Sequence, residues 1–407
     1  MLRSIFWPVL APAFLYACGS GALTPVIVLA AMSLGAGHAA AGAIVTADGL
    51  ASVLLAVPAG YVIHALGERR SMTLATLLAA VLTAVCVGAL VTHHGTASLL
   101  VLAVAVVAVG GVEVVWSLAR QAYIADTVRT SSLALAMTSL GGAGRAGQLV
   151  GPLIASLLLL WFPLFIVFVM HIVLALAATA LIVGSHRRAD RRPPPPPRPA
   201  REQTSTVRWR AVALAGVAML ALSMARQGKA IVVPLWGDHL HLTASAISLA
   251  VAFGSAVELV LLIPGGILKD RLGRAGVLIA CMAMLGIGFG LMPLGGTLPW
   301  FAIGIAVASI GNGLGSGINM TIGADLSPSI GRAKFLGYWA TISQTGSLAG
   351  PGLVTLVIAT SGLPLAVGAL ACAPILGAVW MIVFRRRIGL PTGASLRAGR
   401  GPAASTR

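Results

Sequence analysis

Residues 266–274 read Gly-Ile-Leu-Lys-Asp-Arg-Leu-Gly-Arg, a short charged segment between two long apolar runs. Similar runs make up most of the chain: 58% of its 407 residues are hydrophobic and 9% are charged. An ordinary soluble domain has about 25% charged residues, so this chain has too few to cover a soluble surface. Disorder is excluded as well, because so apolar a chain cannot remain solvated. The composition therefore predicts a polytopic membrane protein.

The apolar runs match the length of membrane-spanning helices, which need about 20 mostly apolar residues. We expect an all-α membrane protein. Its twelve predicted transmembrane helices cover about 7–32, 39–63, 71–92, 97–119, 132–158, 162–184, 211–236, 243–268, 275–294, 298–322, 334–359 and 363–384.

The orientation follows from the basic residues, which favour cytoplasmic loops. Of the 27 lysines and arginines, Arg145, Arg226 and Lys229 fall within helices, and the others lie in or beside alternate loops. This predicts that both termini are cytoplasmic. Arginine far outnumbers lysine, and alanine and glycine are abundant, which indicates a GC-rich bacterial genome and hence a bacterial plasma membrane. The net charge of +17 does not indicate a nucleic-acid partner, because the basic residues are not clustered with aromatics on one face.

An internal repeat divides the chain. Two sets of residues recur in the same order at nearly constant spacing. Pro58-Ala59-Gly60 with Gly67 matches Pro264-Gly265-Gly266 with Gly273, and Asp126, Gly147 and Gly151-Pro152 match Asp325, Gly346 and Gly350-Pro351. We therefore predict a six-helix N-terminal bundle (1–184), a cytoplasmic Arg/Pro-rich linker (185–210), a six-helix C-terminal bundle (211–387) and a disordered cytoplasmic tail (388–407).

The segment 266–274 matches a G-x-x-x-D-R-x-G-R motif without a mismatch. On this motif and the repeat, the chain resembles the major facilitator superfamily of secondary transporters over essentially its whole length, and more specifically its drug/proton antiporters. The resemblance implies two six-helix bundles related by a pseudo-two-fold parallel repeat. The corresponding loop after helix 2 is degraded, with His64, Ala65 and Glu68 at the Asp, Arg and Arg positions.

The family motif implies a cytoplasmic gate. Asp270 would face the N-terminus of a helix, where free N–H groups favour an anion. Arg274 would pair with Asp325, and Arg69 or Arg70 with Asp126; the alternative is that these charges only set the orientation. The predicted gate residues are Gly60, Gly67, Arg69, Arg70, Asp126, Gly266, Asp270, Arg271, Gly273, Arg274 and Asp325.

A second motif lies in helices 5 and 11. Two glycines four residues apart share a helix face and allow close contact with another helix, and the proline after them bends the helix. The helix 5 version is similar to the signature of antiporters in this superfamily, although packing alone also explains it. The residues of this helix-bend motif are Gly147, Gly151, Pro152, Gly346, Gly350 and Pro351.

Charged residues within the predicted helices cost a few kcal/mol each and usually face a cavity or a partner. They are Asp48, Glu113, Arg145, Arg226, Lys229 and Glu258. Glu113 and Arg145 lie at similar depth in consecutive helices, so we expect an ion pair between them. Each charge can be structural instead of functional.

The family resemblance also implies that helices 1, 4, 7 and 10 line a central cavity. The candidate residues there are Tyr16, Glu113, Trp116, Arg226, Gln227, Trp236 and Asn312. The arginine that many proton-coupled members carry in helix 4 is missing from 104–111, so that motif does not imply coupling.

We expect a secondary transporter that works by alternating access and exports a small amphipathic organic compound in exchange for protons, as a monomer in the lipid bilayer. One alternative is uptake or facilitated diffusion of a polar or anionic metabolite; another is a non-transporting sensor or lipid-handling scaffold. The sequence shows no catalytic nucleophile, catalytic carboxylate pair or phosphate-binding loop, so we expect no enzyme activity. We also expect no cofactor and no metal site.

Overall fold

A computed structural model of the chain describes residues 5–92, 95–128, 130–185, 207–328 and 332–390. The helices in this part, after a π-helical turn at Phe6–Leu10, are α1 (Ala11–Ser33), α2 (His38–Leu66), α3 (Glu68–Thr92), α4 (Thr96–Thr127), α5 (Thr130–Leu158), α6 (Phe165–Gly184), α7 (Trp209–His239), α8 (Ala244–Val260), α9 (Leu262–Leu272), α10 (Arg274–Gly295), α11 (Leu298–Leu314), α12 (Ile318–Leu326), α13 (Arg332–Ser361) and α14 (Leu363–Ile388). Most of the predicted linker and tail lies outside the described residues.

The helices confirm an all-α membrane fold. In the described part, ten segments are long and apolar enough to cross a membrane, or eleven if α8 and α9, bent by 42°, count as one. The chain from α11 through α12 forms one of the ten, Leu298–Leu326. The predicted helix 132–158 corresponds to α5, which is 29 residues long. The observed helices thus agree closely with the predicted twelve.

The chain divides into two compact units, and the first comprises Met1–Arg198 and Val233–Ser255. In this unit α1 packs on α5 and α6, and α4 packs on α2 and α3. Gly147 and Gly151 of α5 face the backbone of α1. A Cβ atom at Gly147 would lie 2.6 Å from the carbonyl oxygen of Phe14, and one at Gly151 would overlap the carbonyl of Cys18. The two glycines therefore permit backbone contact between α1 and α5.

The second unit comprises Pro199–Val232 and Ala256–Arg407. Here α10 packs on α11 and α14, and Gly346 and Gly350 of α13 lie against α7. A Cβ atom at Gly346 would lie 2.6 Å from the carbonyl oxygen of Leu220, and one at Gly350 would overlap the carbonyl of Met224. The repeated glycine pair thus makes an equivalent helix contact in each unit. Pro152 and Pro351 lie inside α5 and α13, as predicted from the motif.

The unit boundaries cross two helices. The end of α7 and most of α8, residues 233–255, belong to the first unit, whereas the rest of both helices belongs to the second. The predicted bundle boundaries at 184 and 211 stay a prediction.

Candidate substrate and proton sites

A buried ion pair lies in the second unit. Lys229 Nζ is 2.5 Å from Glu258 Oε1, with the two side chains only 15% and 19% exposed. The same Nζ donates to Ser309 Oγ at 3.0 Å, and the amide of Asn312 is hydrogen-bonded to Glu258. Ser309 is fully buried. Helices α7, α8 and α11 thus supply a lysine and a carboxylate with polar neighbours for both.

Arg226 lies one turn before Lys229 on α7 but has different partners. Its Nη2 donates to the carbonyl oxygen of Gly315 at 2.9 Å, and the guanidinium also contacts the thiol of Cys281. Lys269 donates to the next carbonyl along the chain, that of Ser316. These carbonyls lie at the break between α11 and α12, and cations favour a helix C-terminus. Arg226 and Lys269 therefore stabilise this break.

The first unit contains a pair of acids within the membrane. The carboxylate of Asp48 occupies the space beside Gly110 of α4: a Cβ atom on that glycine would lie 2.7 Å from Asp48 Cγ. Gly110 is one helical turn from Glu113, so both carboxyl groups lie along the same side of α4. Glu113 interacts electrostatically with Asp48 and with Arg120.

Arg120 is the cation whose charge acts on Glu113, whereas the sequence analysis assigned Arg145 to this acid; the pairing with Arg145 stays a prediction. The prediction was Arg145, on the grounds of depth alone. Arg120 lies seven residues after Glu113 on α4 and therefore on the same face of the helix. Depth does not determine which side of a helix a residue occupies. Arg145 is half-buried in α5.

Aromatic side chains adjoin these acids. The ring centroids of Tyr16 and Trp116 are 5.3 Å apart, Tyr16 lies 5.3 Å from His171, and the guanidinium of Arg120 lies over the Trp116 ring at 5.7 Å. Tyr16 and Trp116 are buried. Within the described residues, the Tyr16 hydroxyl and the Trp116 indole nitrogen have no hydrogen-bond partner. The cluster thus combines two buried aromatic rings with two buried polar atoms that lack a hydrogen bond.

Two other predicted cavity residues lie on α7. Trp236 is buried and packs on His239, with centroids 5.1 Å apart; it belongs to the first unit. Gln227 is exposed. Neither belongs to the Lys229 cluster.

The sequence analysis did not identify Arg120, His171 and Ser309 as site residues. Arg120 was assigned to the cytoplasmic margin because the predicted fourth helix ended at 119. His171 was overlooked because only formal charges were counted, although a histidine within an apolar run is a recognisable signal. A serine such as Ser309 gives no signal in a sequence, since many serines pack in membrane helices.

The loop after α9 contains the predicted ion pair. Arg274 Nε lies 2.8 Å from Asp325 Oδ2, and the side chains are 17% and 18% exposed. The contact confirms the predicted pairing, whereas its function as a gate stays a prediction. The side chain of Asp270 lies outside the described part. The other members of this motif lie in or directly after α9: Gly266, Arg271 and Gly273.

The corresponding loop in the first unit has a different contact. Glu68, the first residue of α3, is hydrogen-bonded to Asp126 at the end of α4. Burial, followed by the charge of Glu68, raises the pKa of Asp126. Arg69 donates to Ser185 Oγ at 2.7 Å, and Arg70 is exposed. Asp126 is thus paired with an acid, where the sequence predicted an arginine. The glycines of this loop are Gly60 in α2 and Gly67 directly after it.

No group of three or more His, Cys, Asp or Glu residues in the described part is placed to hold a metal ion. The candidate sites are defined instead by charged side chains within the helices. Among the described residues, Arg120 is the cation whose charge acts on Glu113, which in turn acts on Asp48, whereas Lys229 and Arg226 both act on the single acid Glu258.

Comparison with known proteins identifies the fold. The family model described as Major Facilitator Superfamily matches residues 10–226 and 215–405. A search of curated protein sequences finds no match. Among solved structures, a peptide transporter POT in complex with sulfate matches with a TM-score of 0.76 at 13% identity, over 95% of this chain and 95% of that one.

Two further solved structures are similar. A POT family transporter in complex with 5-aminolevulinic acid has a TM-score of 0.71 at 13% identity, over 95% of this chain and 96% of that one. The human organic anion transporter MFSD10 (TETRAN) has a TM-score of 0.64 at 15% identity, over 93% of this chain and 99% of that one. At these identities the likeness shows the fold alone.

Proposed function

Since the chain belongs to the Major Facilitator Superfamily, we propose that this transporter exports a small amphipathic organic compound in exchange for protons. The family indicates a transporter and not an enzyme. Our proposal includes alternating access, a monomer, and a bacterial plasma membrane with both termini in the cytoplasm. It also assigns the cargo a cationic group.

The observation that carries this proposal is the Asp48–Glu113 pair with Arg120. With both acids ionised, one guanidinium leaves one negative charge uncompensated. Such a charge is costly in a low-dielectric interior, so the site favours taking up either a proton or a cationic group. A bound proton then disfavours binding of the cationic group, and a bound cationic group disfavours binding of the proton. Exchange requires this competition. The rings of Tyr16 and Trp116 are buried beside these acids, and they would offer such a cargo an apolar surface and a cation–π contact when the site opens.

The test is transport by the purified protein in proteoliposomes across an imposed pH gradient, with ethidium as the cationic probe. We expect ethidium to move against the proton flow. Asp48→Asn and Glu113→Gln should each reduce the gradient-driven flux at least about tenfold, because a single neutralised acid leaves no excess charge to exchange. Flux that remains fully proton-driven in both variants would contradict the proposal.

A second candidate is proton-coupled uptake of an organic anion. The observation that favours it is the second unit's cluster, where Arg226 and Lys229 accompany the single acid Glu258. A proton on Glu258 would free Lys229 for an anionic cargo, so proton and anion would enter together. Fluorescein is the matched anionic probe. Proton-driven fluorescein uptake that Glu258→Gln abolishes and Asp48→Asn leaves intact would favour this function over export.

A further inference from the structure

A patch of arginines lies at one end of the second unit, away from the candidate sites. It comprises two arginines at the start of α7 and three in the last turn of α14: Arg208, Arg210, Arg385, Arg386 and Arg387. All five side chains are exposed, and we refer to them as the arginine patch. Like charges at such density repel one another, so the arginine patch favours a nearby anion.

Two hydrogen bonds hold the parts of the arginine patch together. Arg208 Nη2 donates to the carbonyl oxygen of Ile388 at 3.3 Å, at the end of α14, where a cation is favoured. About two turns deeper, Trp380 Nε1 donates to the carbonyl oxygen of Leu214 at 2.9 Å. The start of α7 is therefore fixed against the end of α14, and the five arginines form one surface.

The acids of the second unit do not supply the counter-charge. Helices α13 and α14 and residues 207–232 contain no Asp or Glu. Elsewhere in this unit, Glu258 and Asp325 each have a cationic partner of their own. The two remaining acids lie outside the described part, Glu202 entirely and Asp270 by its side chain. Among the described residues, the arginine patch is thus left with positive charge to be neutralised by a partner.

An exposed apolar stripe on α14 leads to the arginine patch. Leu376, Val379 and Val383 follow one another at three- and four-residue spacing, so they share a helix face, and each is more than half exposed. Arg386 and Arg387 continue this spacing. From Leu376 to Arg386 the helix rises about 15 Å, which is half of the hydrocarbon thickness of a bilayer, about 30 Å. The apolar stripe thus matches the acyl region of one leaflet, with arginines at the level of its head groups.

Aromatic side chains flank the arginine patch. Trp209 is 61% exposed, and its ring centroid lies 6.5 Å from that of Phe335. The guanidinium of Arg387 lies over the Phe384 ring at 5.7 Å. Exposed tryptophan favours the level where lipid head groups meet the hydrocarbon. Both contacts therefore indicate that the arginine patch lies at this level, within reach of lipid phosphates.

We propose that the arginine patch and the apolar stripe bind an anionic phospholipid. The guanidinium groups donate to its phosphate oxygens, which they match in bidentate geometry, while an acyl chain lies along Leu376, Val379 and Val383. An acidic protein segment matches the charge but has no acyl chain for the apolar stripe, so the lipid is the better fit. The inference goes beyond the proposed function and does not depend on the cargo, its direction or proton coupling.

The test measures lipid binding to the purified full-length protein in detergent by native mass spectrometry. Phosphatidylglycerol is compared with phosphatidylcholine of the same acyl chains, and we expect the anionic lipid to bind at least about tenfold more tightly. Inorganic phosphate at equal concentration should not displace it, because phosphate has no chain to occupy the apolar stripe. The triple variant Arg385→Gln, Arg386→Gln and Arg387→Gln should weaken phosphatidylglycerol binding at least about tenfold, since each juxtamembrane arginine contributes about fivefold.

The matched control removes three arginines from the predicted linker: Arg187→Gln, Arg188→Gln and Arg191→Gln. It should retain phosphatidylglycerol binding. Equal affinity in the wild type and the α14 triple variant, or an equal loss in the linker control, would overturn the proposed lipid site. If the triple variant does not fold, Arg386→Gln alone should weaken binding about fivefold, and unchanged affinity there would overturn it equally.

A glutamate-rich peptide distinguishes the other possible occupant. Wild-type protein that binds this peptide but shows no preference for phosphatidylglycerol over phosphatidylcholine would assign the arginine patch to an acidic protein and contradict the proposal. Since no step of the measurement involves transport, failure of the proposed function would leave the lipid result unchanged.

Discussion

At the scale of single residues, the Lys229–Glu258 pair makes the clearest energetic prediction. Removing one partner of a buried ion pair leaves an uncompensated charge and costs about 3–5 kcal/mol, whereas removing both can be nearly neutral. We therefore expect Lys229→Met and Glu258→Gln each to lower the thermal unfolding midpoint strongly in detergent. The double variant should recover most of the loss.

The matched control for that pair is Ser309→Ala, which removes one neutral hydrogen bond to Lys229 and should cost about 1 kcal/mol. If the stability lost in the double variant equals the sum of the losses in the two single variants, Lys229 and Glu258 are not energetically coupled.

At the scale of helices, the packing of α5 on α1 depends on two glycines. Alanine is a better helix former than glycine by about 1 kcal/mol, so Gly144→Ala, where an added Cβ meets open space, should be neutral or slightly stabilising. Gly147→Ala and Gly151→Ala should instead destabilise by about 1–3 kcal/mol, because the added methyl group displaces the backbone of α1.

The glycine prediction extends to α13. Gly346→Ala and Gly350→Ala should behave like the α5 variants, and Gly368→Ala in α14, also next to open space, serves as the control. Thermal unfolding of the six variants checks this. Similar midpoints for Gly144→Ala and Gly147→Ala would show that the helices separate at little cost.

At the scale of the whole molecule, the loop after α2 and the loop after α9 differ in their charge pairing. Burial and Glu68 raise the pKa of Asp126, so this carboxyl retains its proton at a higher pH than an ordinary aspartate. The protonated contact is complete below that range and is lost as the pH rises through it. The loop after α9 instead joins opposite charges, Arg274 and Asp325, at 2.8 Å.

We therefore expect Glu68→Gln to flatten the dependence of unfolding on pH, and Glu68→Arg to stabilise the protein at neutral pH by about 0.5 kcal/mol, as for an exposed pair. Arg274→Gln, in contrast, should lower the midpoint at neutral pH, because it removes the ion pair with Asp325. The measurement is the thermal midpoint from pH 4 to 8. Parallel pH profiles for the wild type and Glu68→Gln would show that the acid pair does not titrate in this range.

The sequence by itself determined the membrane class, the helices, the repeat and the Arg274–Asp325 pair. The helices follow from the length of apolar runs, because a bilayer requires every backbone group to be bonded within its own segment. The repeated glycines also predicted close helix contacts, since their spacing alone places them on one face. The helices and the glycine faces depend on residues that are close along the chain. The Arg274–Asp325 pair follows from a sequence motif.

Only the tertiary structure decided which buried charges meet. Lys229 and Glu258 lie on different helices, and Asp48 reaches α4 only because Gly110 has no side chain there. The acid pair of Glu68 and Asp126 likewise joins distant segments. Their partners depend on how the helices pack, which spacing and hydropathy along one chain do not specify.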